Sequence, residues 1–198
     1  MLKELVIASH NKGKIAEFEQ MLKPFGVKVY SALDLNLPDV EETGKTFVEN
    51  ASLKAETLSK LSGKPCLADD SGLCVDALGG RPGVYSARYA PNRDFDKAME
   101  MLIEEIKQTK KDDWSAHFSC VLVLKEPGKS AEVFEGRVDG KIIDEKKGKN
   151  GFGFDPIFVP EGFEKTFAEM TGDEKKQISH RGRAVKSFLQ RVFDGKNI

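Results

Sequence analysis

Cysteine is scarce in this sequence, and the cysteines that occur form no recognisable pattern. Only three are present among 198 residues, at positions 66, 74 and 120. Their odd number excludes a complete disulfide framework, and their spacing matches no zinc motif. Because no signal peptide is recognisable either, we expect a cytoplasmic protein in which Cys66, Cys74 and Cys120 are buried thiols.

Long hydrophobic runs and an excess of charge of one sign are also absent. No apolar run approaches the roughly 18 residues that a membrane-spanning helix requires. The 31 basic and 32 acidic residues give a net charge of −1, which argues against a nucleic-acid binder that depends on bulk charge. Hydrophobic residues make up 39% of the chain, too many for a disordered protein. We therefore expect neither a membrane nor a nucleic acid as a partner.

The order of the elements that the sequence predicts indicates an α/β fold. A length of 198 residues corresponds to one domain, which we place at residues 1–198 and which could have two lobes. In the first half, short apolar runs typical of buried strands alternate with segments of helical spacing. In the second half, two strand-like segments flank a Pro127-Gly128 turn and predict a hairpin. A mixed β-sheet with helices packed on it accounts for both halves.

A polar segment lies between the first predicted strand, at residues 5–8, and the first predicted helix. The free amides and the dipole of a helix N-terminus attract anions, so this segment could bind a phosphate chain. Within it, Ser9 and Asn11 could donate hydrogen bonds and Lys14 could add a positive charge. An ordinary capped helix start with solvated lysines would explain the same residues.

Two adjacent carboxylates, Asp69 and Asp70, follow the apolar residues 66–68. Their mutual repulsion and loss of hydration cost free energy, which Mg²⁺ would offset because it prefers a few carboxylates together with substrate phosphates. In an extended chain the two side chains point in opposite directions, so one could face the metal while the other accepts backbone or lysine hydrogen bonds. A polar turn is the alternative, because Asp, Ser and Gly are common in turns.

A second helix is marked by a capping box at Thr46 and Glu49. Asn50 and Lys54 are four residues apart and share one face of it, where they could face a cleft or form an exposed flank. Before this helix, Glu41 or Glu42 could supply another metal carboxylate, although a solvated turn explains both equally well.

The last candidates are a glycine-rich aromatic loop at residues 151–156 and a small basic cluster before the final helix. The loop could let a base approach and stack on its rings, with Asp155 as acceptor, or it could be a tight loop with core phenylalanines. Cations near a helix start suggest a bound anion. Arg181 could donate to a base oxygen and Lys175 to a phosphate, whereas a packed or capping role suits His180 equally well. Together the segments indicate metal-assisted chemistry on a nucleotide.

The chain resembles the inosine triphosphatase family, the pyrophosphatases of non-canonical purine nucleoside triphosphates. The resemblance covers nearly the whole chain, and its motifs occur in the order found in that family. The matching segments are residues 9–14, 41–44, 47–51, 68–73, 82–89, 151–158 and 178–182. One such segment would carry little weight, but seven in order are highly specific.

This resemblance implies an elongated mixed β-sheet flanked by helices, with two lobes around a central cleft, and a homodimer. It implies Mg²⁺-dependent hydrolysis of ITP, dITP or XTP to the monophosphate and pyrophosphate, which clears deaminated purines from the nucleotide pool. Asp70 matches the general base and a metal ligand, and Glu41 or Glu42 matches the second metal carboxylate. Purines with oxygen at position 6 would be accepted by donors near His180 and Arg181.

The remaining positions that the resemblance and the proposed chemistry assign contact the substrate. Lys14, Lys54 and Lys175 are candidate stabilisers of phosphate charge. Phe154 is often tyrosine in the family, so a hydroxyl is missing here although stacking should survive. The full set of expected substrate contacts is Ser9, His10, Asn11, Lys12, Gly13, Lys14, Lys54, Ser71, Phe152, Gly153, Phe154, Asp155, Lys175, His180 and Arg181.

Two other functions are compatible with the same residues. A nucleotide sensor would hold a triphosphate without cleaving it, although a pure binder does not need two crowded carboxylates. A pyrophosphatase for other modified nucleotides, such as methylated pyrimidines, would keep the metal chemistry and change the base. A panel of substrates separates the three hypotheses.

Overall fold

The computed structural model describes residues 2–193, so Met1 and residues 194–198 of the predicted domain lie outside it. Its strands are β1 (Glu4–Ile7), β2 (Lys28–Ser31), β3 (Cys66–Val75), β4 (Ser115–Lys125), β5 (Glu132–Ile142) and β6 (Phe158–Pro160). Its α-helices are α1 (Lys12–Leu22), α2 (Phe47–Ser62), α3 (Phe95–Gln108), α4 (Gly172–Ile178) and α5 (His180–Val192). The sheet order is β2-β1-β3-β4-β5-β6, with parallel β1–β2 and β1–β3 pairs and an antiparallel β5–β6 pair. The predicted mixed α/β sheet is confirmed.

The long helices begin and end where local sequence signals place them. The Thr46 side chain accepts from the amide of Glu49, whose carboxylate in turn accepts from the amide of Thr46, so the predicted capping box is confirmed. The helix ends at Gly63, whose φ of 66° suits glycine. Asp94 caps α3 by accepting from the amide of Lys97, as its position before an apolar stripe predicts.

Strand β3 is longer than the sequence predicts. The sequence indicates a strand at residues 66–68 that ends in the polar residues 69–72, with residues 73–78 extending it or beginning another strand, and a polar turn as one explanation of Asp69 and Asp70. In the structure one strand continues through both aspartates to Val75. The turn interpretation is therefore wrong. Both aspartates are buried in the strand, where the side-chain contacts of Asp69 with Lys14 and Arg181 replace lost hydration. Gly72 permits a close approach, because a Cβ there would lie 2.2 Å from the carbonyl oxygen of Gly83.

The chain divides into two compact units. Within the described residues, the first unit contains residues 2–70, 120–136 and 181–193. Its apolar residues form two clusters, one under α1 and α5 and one under α2. Representative members are Ile7, Phe18, Leu122 and Phe188 in the first cluster, and Val6, Ala55, Leu58 and Val123 in the second.

The second unit contains residues 71–119 and 137–180. Its single described core is built around α3 and includes Leu102, Phe118, Phe158 and Phe167. The sequence did not predict α4 or β6, because elements of seven and three residues are too short to show a periodic pattern. That the whole chain is one domain with two lobes around a cleft stays a prediction.

The cysteines are as the sequence predicts. Cys66, Cys74 and Cys120 are buried free thiols. Among residues 2–193, no helix is long and apolar enough to cross a membrane.

Candidate active site

The polar segment after β1 forms the capped start of α1. The Ser9 hydroxyl accepts from the amide of Asn11 at 3.1 Å, and the Asn11 side-chain oxygen accepts from the amide of Lys14 at 3.1 Å. The oxygens of both side chains therefore accept main-chain hydrogen bonds at the start of the helix. The predicted donation from Ser9 and Asn11 to a phosphate stays a prediction. His10 Nε2 lies 3.0 Å from the carbonyl oxygen of Leu37.

Two further predicted phosphate ligands lie in the first turn of α1. Lys12 is the first residue of the helix and is exposed, and Gly13, which follows it, is half-buried. Their main-chain amides belong to the helix end that favours anions. Whether they bind a phosphate stays a prediction.

Asp69 is a buried acceptor with several cationic donors. Its Oδ1 accepts a very short hydrogen bond from Lys14 Nζ, and its Oδ2 accepts from Arg181 Nε at 2.9 Å. Its main-chain oxygen accepts from Lys54 Nζ at 2.7 Å. Burial opposes ionisation, but the Arg181 and Lys14 cations outweigh it and hold the pKa of Asp69 well below its usual range. This carboxylate therefore stays charged and anchors the surrounding cations.

Asp70, the next residue, lies in the opposite electrostatic environment. Burial raises its pKa to about 6 against the opposing charge of Lys54, and the nearby Glu42 carboxylate adds to the rise. Its Oδ2 is buried and has no hydrogen-bond partner among residues 2–193. A buried oxygen of this kind costs free energy unless a ligand satisfies it. Asp70 is therefore the carboxylate available for chemistry.

The structure distinguishes the two members of the glutamate doublet. Glu42 is half-buried, and its carboxylate accepts from Lys54 Nζ at 2.6 Å, whereas Glu41 is exposed. Lys54 and Asn50 are both buried, so the interpretation of this face of α2 as an exposed flank is wrong. The Asn50 side-chain oxygen accepts from the amide of Gly44 at 2.8 Å, which fixes the chain just before the helix.

Asp70 and Glu42 are the residues of this unit that could hold a divalent cation. No group of three His, Cys, Asp or Glu side chains with metal-binding geometry occurs in the described part of the chain. Mg²⁺ does not require such a group, because it is commonly bound by one or two carboxylates, water and substrate phosphates. Asp70 Oδ2 has no hydrogen-bond partner among the described residues, and the Glu42 carboxylate is near enough for its charge to raise the pKa of Asp70. This pair of carboxylates fits that ligand set.

Arg181 is held by two carboxylates of the first unit. Its side chain is only 2% exposed, its Nε donates to Asp69, and its Nη1 donates to Glu17. The predicted hydrogen bond from Arg181 to a base oxygen stays a prediction. Because two carboxylates surround the guanidinium, we assign Arg181 to the organisation of Asp69.

The aromatic loop of the second unit is a tight loop, and only part of it is available to a ligand. Phe154 is 2% exposed and packs edge-on against Phe95, with ring centroids 5.5 Å apart. The ring belongs to the apolar core, where a hydroxyl would need a partner. Contact of Phe154 with a base stays a prediction. Phe152 is half-buried and stays a candidate for stacking. Gly153 has a φ of 67° at the turn between the two rings.

Two charged residues predicted to contact the substrate form a buried ion pair with each other. Lys175 Nζ donates to Asp155 Oδ2 at 2.7 Å, and both side chains are less than 10% exposed. Asp155 Oδ2 also accepts from the amide of Phe152 at 2.9 Å. A Cβ on Gly151 would lie 2.0 Å from that same oxygen, so glycine is needed there. These contacts give the pair a role in shaping the loop, and direct contact of Asp155 with a base or of Lys175 with a phosphate stays a prediction.

The two other predicted contacts of this unit are His180 and Ser71. The His180 ring is buried and stacks on Phe118, with ring centroids 4.7 Å apart and an interplanar angle of 11°. Ser71 is half-buried in β3. Contact of either residue with a substrate stays a prediction.

Sequence reasoning missed two residues of the first unit, Glu17 and Cys120. Glu17 accepts from Arg181, and Cys120 Sγ donates to Asp69 Oδ2 at 3.2 Å. Glu17 could have been suspected, because it lies three residues after Lys14 on the same face of α1. No signal in the sequence indicates the role of Cys120.

Comparison with known proteins gives matches over nearly the whole chain. A model of the Ham1 family matches residues 5–191. A dITP/XTP pyrophosphatase of Bacillus licheniformis is 50% identical over 94% of this chain and 96% of its own length, and that of Bacillus subtilis is 47% identical over 95% and 96%. The solved structure of a HAM1 protein from Coxiella burnetii is 40% identical with a TM-score of 0.89, over 98% of this chain and all of that one. The chain therefore belongs to the Ham1 family.

Proposed function

We propose that this protein hydrolyses the non-canonical purine nucleoside triphosphates ITP, dITP and XTP to the monophosphate and pyrophosphate. Three relatives that are 47–50% identical to this chain are dITP/XTP pyrophosphatases, which supports the reaction and the substrate class. The reaction clears deaminated purines from the nucleotide pool. The observation that carries the proposal in this chain is the contrast between Asp69 and Asp70.

Asp70 is suited to the role of general base. A base is most effective when its pKa lies near the working pH, and burial raises the pKa of Asp70 to about 6. At neutral pH it is ionised and can take a proton from the attacking water on its unsatisfied Oδ2. Asp69 cannot share this role, because its carboxylate is occupied by Lys14 and Arg181.

A divalent cation would be held by Asp70 and Glu42, with Glu42 favoured over Glu41 by burial and by its contact with Lys54. Membership of a pyrophosphatase family suggests a divalent metal requirement, and we propose Mg²⁺ because all available ligands are hard oxygens. When bound, the cation would neutralise phosphate charge and acidify its bound water.

Lys14 and Lys54 are the cations that we assign to the triphosphate. Asp69 orients both, the first through its carboxylate and the second through its main-chain oxygen. Each ammonium group has three donors, so a contact with Asp69 leaves others for phosphate oxygens. Positive charge fixed in advance in this way stabilises the charge that develops as the phosphoanhydride bond breaks.

For recognition of the base we propose Phe152 and His180. Phe152 is half-buried and could stack on a purine. A donor at His180 would favour purines with oxygen at position 6, because the amino group of adenine would leave that donor unpaired. A homodimer in the cytoplasm, as the family resemblance and the cysteine content predict, completes the proposal.

The decisive experiment measures pyrophosphate release with Mg²⁺ from ITP, dITP, XTP, ATP, GTP and dTTP. Rapid release from the first three and little from the others is the expected result. Equal cleavage of all six would refute the base-recognition assignment while keeping the metal chemistry. Saturable binding of ITP without any release would show a nucleotide sensor, and preference for a modified pyrimidine triphosphate added to the panel would show the other alternative.

A further inference from the structure

Cys120 is a buried nucleophile that the proposed mechanism does not use. It lies in β4, the neighbour of β3 in the sheet, and its side chain is fully buried. Burial raises the pKa of the Cys120 thiol well above its usual range, and the nearby Asp69 carboxylate acts in the same direction. The group therefore remains a protonated thiol, which can donate a hydrogen bond but cannot react as a thiolate.

The thiol donates to a carboxylate that also accepts from two cationic side chains. Cys120 Sγ lies 3.2 Å from Asp69 Oδ2, the same oxygen that accepts from Arg181 Nε at 2.9 Å. Lys14 occupies Oδ1. Both cationic donors stand on long side chains, whereas the thiol has one rotatable bond and belongs to a strand of the same sheet. Of these three donors, Cys120 is the one held most rigidly relative to the backbone of Asp69.

We propose that Cys120 is a positioning residue for the hydrolysis reaction, acting through Asp69. The thiol fixes the rotamer in which Oδ1 faces Lys14 and Oδ2 faces Arg181. Cys120 would thereby align Lys14, one of the two cations assigned to the triphosphate. The main-chain oxygen of Asp69, which accepts from Lys54 Nζ, is held by the backbone of β3 and does not depend on this rotamer. This inference rests on the proposed function.

The chain offers a matched control in Cys66, which is also fully buried in the first unit but has only a long contact, 3.6 Å, with the hydroxyl of Ser62. Cys120→Ala and Cys66→Ala each remove one buried sulfur, so their effects on stability should be similar. Cys120→Ser keeps a donor. We expect Cys120→Ala to lower kcat/KM for ITP about fivefold to tenfold. Cys120→Ser should recover most of that loss, and Cys66→Ala should stay within about twofold of the unmodified protein.

A spectroscopic measurement tests the contact without depending on activity. The S–H stretching band of Cys120, identified by its loss in Cys120→Ala, should lie at lower frequency than those of Cys66 and Cys74. A thiol that donates to a carboxylate has a weakened S–H bond. Asp69→Asn should move the band towards the other two, because a neutral acceptor is weaker.

The outcomes distinguish a failure of the proposed function from a failure of the positioning role of Cys120. If the unmodified protein releases no pyrophosphate from any triphosphate, the proposed function fails, whatever the infrared result. If it is active but Cys120→Ala and Cys66→Ala have equal kcat/KM, the positioning role is refuted. An unshifted S–H band, or a serine variant as impaired as the alanine variant, would also overturn it.

Discussion

Asp69 and Asp70 are consecutive residues of β3 whose carboxyl groups have opposite pKa shifts. The Asp69 carboxylate accepts from Lys14 and Arg181, which hold its pKa well below the usual range despite burial. Burial raises the pKa of Asp70 to about 6, and its Oδ2 has no hydrogen-bond partner within residues 2–193. Such a separation divides two identical side chains into an anchor and a reactive group.

Replacement of the reactive carboxyl should abolish most of the activity and leave the fold intact. Asp70→Asn removes the proton acceptor and weakens the proposed metal site, so we expect kcat for ITP to fall by roughly 10²- to 10⁴-fold. Steady-state pyrophosphate release measures this, and circular dichroism verifies the fold. Turnover near that of the unmodified protein would exclude Asp70 as the base.

The same substitution should increase stability, and only at neutral and higher pH. The pKa of Asp70 is about 6 in the folded chain against an ordinary value of 3.8, so the folded state binds this proton more tightly. Ionised Asp70 therefore costs stability above pH 6, and the cost disappears as the pH falls through 6 towards 4. With metal chelated, Asp70→Asn should be more stable by about 2–3 kcal/mol at pH 7.5 and equal to the unmodified protein near pH 4.

Urea unfolding at a series of pH values with EDTA present measures that difference. Asp69 should not contribute to the change between pH 7.5 and pH 4, because its stabilising charge is lost only as the pH falls through its much lower folded pKa. A stability difference independent of pH would show that Asp70 is not buried in its charged form.

Glu42 and Glu41 provide a matched pair for the metal site. Glu42→Gln should raise the Mg²⁺ concentration needed for half-maximal activity by roughly 10-fold or more, whereas Glu41→Gln should leave it unchanged. The reason is that Glu42 is half-buried, accepts from Lys54 and raises the pKa of Asp70 through its charge, whereas Glu41 is exposed. Mg²⁺ titration by calorimetry gives an independent readout. Equal effects of the two substitutions would contradict the assignment.

Phe154 should behave as a core residue. Phe154→Ala is expected to lower the free energy of unfolding by about 3–4 kcal/mol, because the ring is 2% exposed and packs against Phe95. Phe163→Ala, in the same unit but at a ring 47% exposed, should change it by less than about 0.5 kcal/mol. Thermal and urea unfolding measure both. A Phe154 variant with unchanged stability and a raised KM would favour the stacking hypothesis over the core role.

Glu17 should matter for stability far more than its neighbour on the same helix. Glu17→Ala leaves the buried Arg181 guanidinium with less negative charge around it, and we expect a loss of about 2 kcal/mol. Glu19→Ala, at an exposed position of α1, should change stability by less than about 0.5 kcal/mol. Comparable losses in the two variants would mean that the Arg181 contact contributes nothing.

Features governed by neighbours in sequence were predictable. The capping box of α2 and the Asp94 cap of α3 depend on residues three positions apart, so the sequence contains the whole signal. Opposite orientations of Asp69 and Asp70 follow in the same way from the period of a strand. The candidate residues 9–14, 41 or 42, 54 and 70 could be selected on local chemistry together with the family resemblance, but the sequence did not distinguish Glu41 from Glu42.

Features that depend on tertiary contacts were not predictable. Arg181 lies 112 residues from Asp69 and 164 residues from Glu17, and no local pattern pairs it with either. Phe152 and Phe154 are equivalent in sequence, yet one is half-buried and the other belongs to the core. Burial of Lys175 against Asp155 likewise required the folded second unit. In each case the partner of a side chain is decided by which groups the tertiary fold buries next to it.

The contacts of Arg181, in α5, with Asp69 and Glu17 also bear on how the protein is made. Synthesis from the N-terminus produces Glu17, Asp69 and Lys14 long before Arg181, which contacts both carboxylates and adds to the charge that Lys14 supplies to Asp69. A nascent chain lacking α5 would have to keep both carboxylates hydrated or bury them at a cost of several kcal/mol. The first unit should therefore consolidate only when translation has passed Arg181. An interrupted product would be a poor hydrolase and an easy substrate for proteolysis.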